Sequence, residues 1–188
     1  MDKTVVVGGG IGGLACAAAL SRAGKPVRVL ERHHAVADTG TALGMWPNAL
    51  RALDALGLGD EVRQLGVPQA EVVFRRPDGR LLTKIDTTRR LPEPVRLISR
   101  GALTKLLLGA LPDSVVRTGV EVSDVDSLVR RSRVLVGADG INSAVRAQVF
   151  GAGYGLRYSG YSTWRGLVAG RYGPSGEERR HSGDRGER

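Results

Sequence analysis

The first uninterrupted apolar run, residues 4–7 (TVVV), holds four uncharged β-branched residues. Such a run reads as a buried strand of a parallel sheet. It breaks at Gly8-Gly9-Gly10-Ile11-Gly12-Gly13. The following LACAAALSRAG is rich in Ala and Leu and closes at Gly24, the pattern of a helix with a glycine cap. Pro26 ends that helix, and residues 27–30 make a second strand followed at once by Glu31. Residues 32–45 read as loop. Residues 46–57 read as a helix with Pro47 near its first turn, Leu50, Leu53 and Leu56 along one stripe and Gly57 at its end, and 58–65 as a second short helix.

Farther along, residues 70–76 and 81–85 predict two strands joined by the turn Pro77-Asp78-Gly79-Arg80, an antiparallel hairpin. Residues 87–96 read as an irregular link. Ser99 is placed to cap the helix GALTKLLLGAL. Residues 115–117 and 120–122 read as strands added to the sheet. A buried strand at 133–136 runs into Gly137-Ala138-Asp139-Gly140, after which Asn142 and Ser143 cap a helix carrying Arg146. Taken alone, Asp139 is as readily a turn or cap residue as anything else.

Composition narrows the picture. A chain of 188 residues buries one core, with room for a small second lobe. The net charge of +9 suggests an anionic partner, but 24 Arg and 4 Lys are scattered, and aromatics make up only 4%, too few for a stacking platform. Nucleic acid is therefore not expected. Cys16 stands alone and reads as a small core residue. The pair His33-His34 lacks accompanying ligands and reads as a solvated loop rather than a metal site. The N-terminus has no basic leader, its glycine cluster interrupts any apolar core of a signal peptide, and no run is long enough to span a membrane. The expected compartment is the cytoplasm.

The chemistry sits in the first forty residues. Gly8, Gly10 and Gly13 form G-x-G-x-x-G between a strand and a helix. The first allows the sharp turn, the second lets a pyrophosphate approach the backbone, and the third lets helix and strand pack closely. The helix N-terminus offers unpaired N–H groups to a diphosphate. Glu31, eighteen residues after Gly13, is spaced to accept from ribose hydroxyls and disfavours a 2′-phosphate. The expected ligand is FAD or NAD; the loop alone does not choose.

Six stretches in order, VVVGGGIGGLACAAAL, VLER, GTALGMWPNALRALDALGLGDEV, LISRGAL, VLVGADGINSAVR and YSGYSTWRGLV, resemble the FAD-dependent aromatic hydroxylases, the group-A flavoprotein monooxygenases that include 4-hydroxybenzoate and salicylate hydroxylases. The resemblance covers residues 4–170. It implies an α/β fold: a Rossmann-like FAD-binding parallel sheet with an inserted antiparallel hairpin and the start of a substrate-domain sheet. In domain terms, 1–155 would be the FAD-binding domain with 67–98 inserted toward the substrate side, 156–170 a stub of the substrate domain, and 171–188 a disordered tail. By the resemblance, Gly8, Gly10, Ile11 and Gly13 would cradle the pyrophosphate and Glu31 would hold the adenosine ribose. Arg32 would lie along the adenosine, and Gly44 would line the flavin end. Arg100 would reach FAD, Val122 would meet adenine through its main chain, and Asp139 would touch FAD and the pyridine-nucleotide route, buttressed by Arg146. Arg165 is a candidate to face the flavin or substrate, with an exposed strand arginine as the competing reading. The implied reaction uses FAD with NADH or NADPH as co-substrate, and puts one atom of O2 into an aromatic or other apolar small molecule.

Two departures from that family stand out. Residues 123–133, SDVDSLVRRSR, are too short for the two strands and turn the family has there, which suggests an internal deletion. After Trp164-Arg165-Gly166 the family continues to a second Gly-Asp motif. Gly183-Asp184 is not that motif, because no strand precedes it and no helix follows. Half of the final eighteen residues are charged, a composition that buries no core. A truncated or frame-shifted ending is the expectation. It leaves three readings: a monooxygenase completed by a partner chain, a remnant that binds FAD weakly or not at all, and a plain NAD-binding Rossmann oxidoreductase. The exposed apolar edge of an unfinished sheet also predicts poor solubility or self-association.

Overall fold

Val6 and Val7 of the first strand point to opposite faces of the sheet, and the fold is built on that alternation. The computed structural model describes residues 4–36 and 41–162. β1 (Thr4–Val7) is central in a parallel sheet and pairs with β2 (Val27–Leu30) on one side. On its other side the chain later returns as β9 (Val134–Gly137), and β8 (Val116–Arg117) adds to the outer edge of β2. The strand order is β8-β2-β1-β9.

On the face that Val6 enters, α1 (Ile11–Arg22) and α5 (Arg100–Gly109) pack with α2 (Pro47–Ala55) and α3 (Gly59–Leu65) around one core, where Leu14, Val29, Leu50, Val62 and Leu107 are fully buried. The alanines of α1 let that helix lie close to the strands. On the face that Val7 enters, α6 (Val125–Arg131) and α7 (Ala144–Phe150) contribute Val125 and Val145 to a smaller cluster. The helices on both faces bury the C-terminal half of β1 and most of β2, whereas β9, expected as a buried strand, lies at the sheet edge with Val134 48% exposed.

A second, antiparallel sheet has the order β3-β7-β4, from β3 (Ala42–Met45), β7 (Val95–Ser99) and β4 (Val67–Gln69). The hairpin of β5 (Glu71–Arg75) and β6 (Leu81–Asp86) stands apart as a two-stranded ribbon. Its turn is built as the sequence indicates: Gly79 takes φ +85°, and the Asp78 carboxylate accepts from the Arg80 N–H at 2.9 Å. The short α4 (Thr87–Arg90) follows, capped by Asp86. Fully buried Thr87 donates its hydroxyl to the carbonyls of Gln69 and Ala70 and ties the base of the hairpin shut.

Several local expectations differ from the structure, for identifiable reasons. α1 starts three residues before the Ala-rich run, at Ile11, because Gly10 already adopts the extended cap conformation. Residues 42–45, expected as loop, are strand β3; their sequence ALGM is a poor strand former, and pairing with β7 over four residues decides their conformation. The link 87–96 is not irregular throughout, since Val95 and Arg96 already belong to β7. Residues 120–122 form no strand. The chain turns at Gly119 (φ +70°), and the Val120 N–H donates to the Glu31 carbonyl as the segment crosses the end of β2. Residues 123–133 are filled by one helix, α6, capped by Asp124 through the Ser127 N–H at 2.8 Å. Residues 155–162 contain no strand, and Trp164, Arg165, Gly166 and the tail 171–188 lie outside the described residues. No helix among the described residues is long and apolar enough to cross a membrane.

The packing predicts a contrast. Leu14→Ala, at a fully buried site on α1, should cost about 3 kcal/mol of unfolding free energy. Val73→Ala, on the hairpin at 42% exposure, should cost less than about 1 kcal/mol. Urea denaturation of the two variants measures both; equal losses would contradict this placement of the core.

Candidate functional site

A cavity of about 330 Å³ opens at the C-terminal ends of β1, β2 and β9. β1 is joined through α1 to β2 on one side and meets β9 on the other, so the chain leaves the cavity mouth in opposite directions. In open α/β sheets such a switch point is where ligands bind.

Its floor is the glycine loop. Gly8 adopts φ +107°, and a Cβ there would overlap the Ala138 carbonyl. A Cβ on Gly13 would overlap the Gly8 carbonyl, so the absence of a side chain at Gly13 lets α1 sit directly on the end of β1. Gly10 differs: a Cβ there would meet nothing within 4 Å, and Gly10 lines the cavity. No side chain caps α1, and the first helical bond runs from the Leu14 N–H to the Gly10 carbonyl. The earlier amides of the first turn are left as donors, carrying the positive end of the helix dipole.

Glu31, at the end of β2, is 8% exposed. Its Oε2 accepts from the Gly9 N–H at 2.6 Å, and its Oε1 from the His33 N–H at 2.9 Å and the His33 Nδ1 at 2.6 Å. Burial pushes the Glu31 carboxyl upward, but the His33 and Gly9 N–H groups and the His33 ring together outweigh it and hold the carboxyl below its ordinary value. The group therefore stays ionised inside the cavity wall.

Asp139 sits across the cavity in a different arrangement. Its Oδ1 accepts from the Ser143 hydroxyl at 2.6 Å and its Oδ2 from the Val145 N–H at 3.1 Å, while Ser143 itself caps α7 through the Arg146 N–H at 2.9 Å. Arg146 Nη2 donates to the Ile141 carbonyl at 2.7 Å and closes the turn. Burial again raises the carboxyl, and the Ser143 hydroxyl and the Val145 amide, with other nearby amides, bring it below its usual range.

Seven of the sequence-derived positions meet here: Gly8, Gly10, Glu31, Arg32, Arg100, Val122 and Asp139 all line the cavity. Ile11 and Gly13 stand behind it in the first turn of α1, with Ile11 packed against the core. Gly44 is on β3 and is not part of the lining. Arg165 lies outside the described residues. Sequence reasoning missed Gly9, which fixes Glu31 by its N–H, and His33, read as a solvated loop residue. It also missed Thr104, which reaches the lining from α5 although only the apolar stripe of that helix is legible. For His33 the available signal was its position two residues after the carboxylate. Among the described residues, no group of three or more His, Cys, Asp or Glu is placed to hold a metal ion.

Residues 2–163 match the family described as "FAD binding domain". Among relatives, the 3-amino-4-hydroxybenzoate 2-monooxygenase PtmB3 of Streptomyces platensis is 35% identical over 184 residues, covering 89% of this chain and 46% of its own length. The FAD-dependent urate hydroxylase of Klebsiella pneumoniae is 32% identical over 185 residues, covering 88% and 47%. Among solved structures, Klebsiella pneumoniae HpxO complexed with FAD and uric acid superposes with a TM-score of 0.63 at 26% identity, over 80% of this chain and 42% of that one. The chain thus spans a little under half the length of the relatives it matches.

Two measurements follow from the geometry. Gly13→Ala should lower stability by about 2 kcal/mol, because backbone must move, whereas Gly10→Ala should stay within about 1 kcal/mol of the parent. Thermal melts would separate them, and equal melts would refute the assignment. Because Glu31 has a lowered carboxyl pKa when folded, its contribution to stability is present above the unfolded value and is lost as pH falls through the folded one. The Glu31→Gln variant should therefore be less stable than the parent near pH 7, with the gap closing as pH falls. Denaturant titrations at neutral and acid pH check it; a gap that widens in acid would reverse the sign argued here.

Proposed function

The chain belongs to the FAD-binding-domain family it shares with these hydroxylases, and we propose that it works as an FAD-dependent monooxygenase with the cofactor held in the cavity at the ends of β1, β2 and β9. The observation that carries the reading is the pairing of an open Gly10 and uncapped α1 N-terminus with a buried, ionised carboxylate at the end of β2. A diphosphate needs backbone donors at close approach, and an adenosine ribose needs a fixed acceptor; both are within one cavity lining. The residues present fit the ADP half of FAD.

In this reading Gly8, Gly10, Ile11 and Gly13 shape the diphosphate cradle, with the α1 amides as donors. Glu31 accepts from the adenosine ribose, and its negative charge works against a 2′-phosphate. Arg32 and Arg100, at the cavity rim, supply positive charge against the two phosphates, Arg32 on the adenosine side. Val122 meets adenine through its main chain. Asp139 spends its carboxylate holding the α7 turn, so its service to the cofactor runs through the placement of the Ala138–Gly140 backbone. Gly44 at the flavin end, and Arg165 toward flavin or substrate, complete the proposed set.

FAD, when bound, supplies the transfer of two electrons from NADH or NADPH and of one oxygen atom from O2 to an aromatic or other apolar small molecule. The relatives' printed substrates, an aminohydroxybenzoate and urate, support a planar, ring-bearing substrate class. The cytoplasm, where NADH and NADPH circulate, is the compartment this function calls for. Among the described residues β9 is an edge strand of the parallel sheet with Val134 half exposed, and an edge of that kind favours a complementing chain or a second copy.

Titrating the purified full chain with FAD, followed by visible absorption, tests the proposal. A shifted, saturable flavin spectrum is expected. Gly10→Val should abolish it by filling the cradle, and Glu31→Ala should weaken binding by at least about tenfold. A chain that ignores FAD, or one whose binding is untouched by both substitutions, would overturn the assignment.

A further inference from the structure

We infer that His33 is a positioning residue of the ribose site, whose hold on Glu31 Oε1 leaves the carboxylate able to take one ribose hydroxyl rather than two. The inference rests on the proposed role of Glu31 and goes beyond it. A carboxylate has two oxygens and about four acceptor directions. On Glu31, Oε1 is engaged twice by His33, through its N–H at 2.9 Å and its Nδ1 at 2.6 Å, and Oε2 once by the Gly9 N–H at 2.6 Å. The free direction is on Oε2. A vicinal diol that needed one oxygen for each hydroxyl would find Oε1 already filled.

The arrangement is held from the backbone. The His33 carbonyl accepts from the Gly119 N–H at 2.9 Å, and the Glu31 carbonyl from the Val120 N–H at 2.9 Å. These two bonds tie residues 31–33 to the segment that crosses the end of β2, and Gly119 makes the turn at φ +70°. With its backbone anchored, the His33 ring is set against Glu31 while most of its other surface faces solvent, the side chain being 62% exposed. Arg32, between the two, lines the same cavity. An exposed ring whose bonded nitrogen is spent on a buried cavity carboxylate serves the site more than the core.

The test compares ADP with its 2′-deoxy and 3′-deoxy analogues by calorimetry on the full chain, as parent, His33→Ala, His33→Asn and Glu31→Gln. In the parent, one analogue should bind about tenfold more weakly than ADP and the other about as well. His33→Ala keeps the backbone N–H bond but removes the Nδ1 one, so Oε1, like Oε2, has one free direction and the two analogues should become alike. His33→Asn puts an amide N–H near the Nδ1 position and should restore the asymmetry, which a merely structural role would not. Equal penalties for both analogues in the parent, or an asymmetry unchanged in His33→Ala, would overturn the inference while leaving Glu31 in place. If the parent binds no ADP, or treats the three nucleotides as Glu31→Gln does, the role of Glu31 itself falls, and the inference with it.

Discussion

The contact between α1 and the end of β1 is the constraint on which the rest of the molecule depends. A helix can start that close to a strand only if the residue in its first turn has no side chain, and Gly13 meets that condition against the Gly8 carbonyl. Everything at the mouth of the cavity follows from it. The first-turn amides point out over the strand ends, Gly10 is left open, and Gly9 comes within hydrogen-bond reach of Glu31 on the neighbouring strand. Gly8 performs the same service toward β9, where its lack of a side chain admits the Ala138 carbonyl and so brings the Asp139 turn to the same rim. Glycines that individually weaken a helix or strand here set the distances among three parallel strands.

Two acids whose carboxyl pKa values are both lowered are held differently at that rim. Asp139 accepts from a hydroxyl and an amide of the segment that begins α7, and the turn is closed on itself by Arg146. Its charge is absorbed into local structure. Glu31 accepts from two separate stretches, Gly9 and His33, and still faces the cavity. The distinction is geometric: the Asp139 carboxylate is bonded to its own following helix as a cap, and the Glu31 carboxylate is bonded across strands with an acceptor direction to spare in the cavity lining.

How much of this was legible in the sequence depends on how local each feature is. The first strand–glycine–helix–strand unit, the Pro-Asp-Gly-Arg hairpin turn and the caps at Ser99 and Ser143 were all readable, because each is decided within a few residues by φ requirements or by a hydroxyl beside a helix start. The β3-β7-β4 sheet was mostly not readable. Its strands β3 and β7 pair across more than fifty residues of sequence, from Met45↔Arg96 to Ala42↔Ser99, and β3 has no β-branched residue, so pairing rather than propensity makes it a strand. The same holds for the site. The glycines and Glu31 are announced by spacing, whereas His33 and Thr104 are brought in by a loop anchor and by one turn of a helix whose pattern reports only its buried face.

Charge illustrates the same division. The chain as a whole is strongly basic, at +9, yet the cavity wall carries Glu31, Glu121 and Asp139 beside Arg32 and Arg100. A site meant to gather anions by bulk attraction would not place three carboxylates in its lining. The α1 terminus instead carries fixed N–H donors, whose partial charge is set by backbone geometry and acts only within the first turn. Arg32 and Arg100 in the same lining offset part of that negative charge. On this reasoning the net charge of the chain says little about its ligand, while eleven residues of backbone from Val7 to Ala17 say most of it.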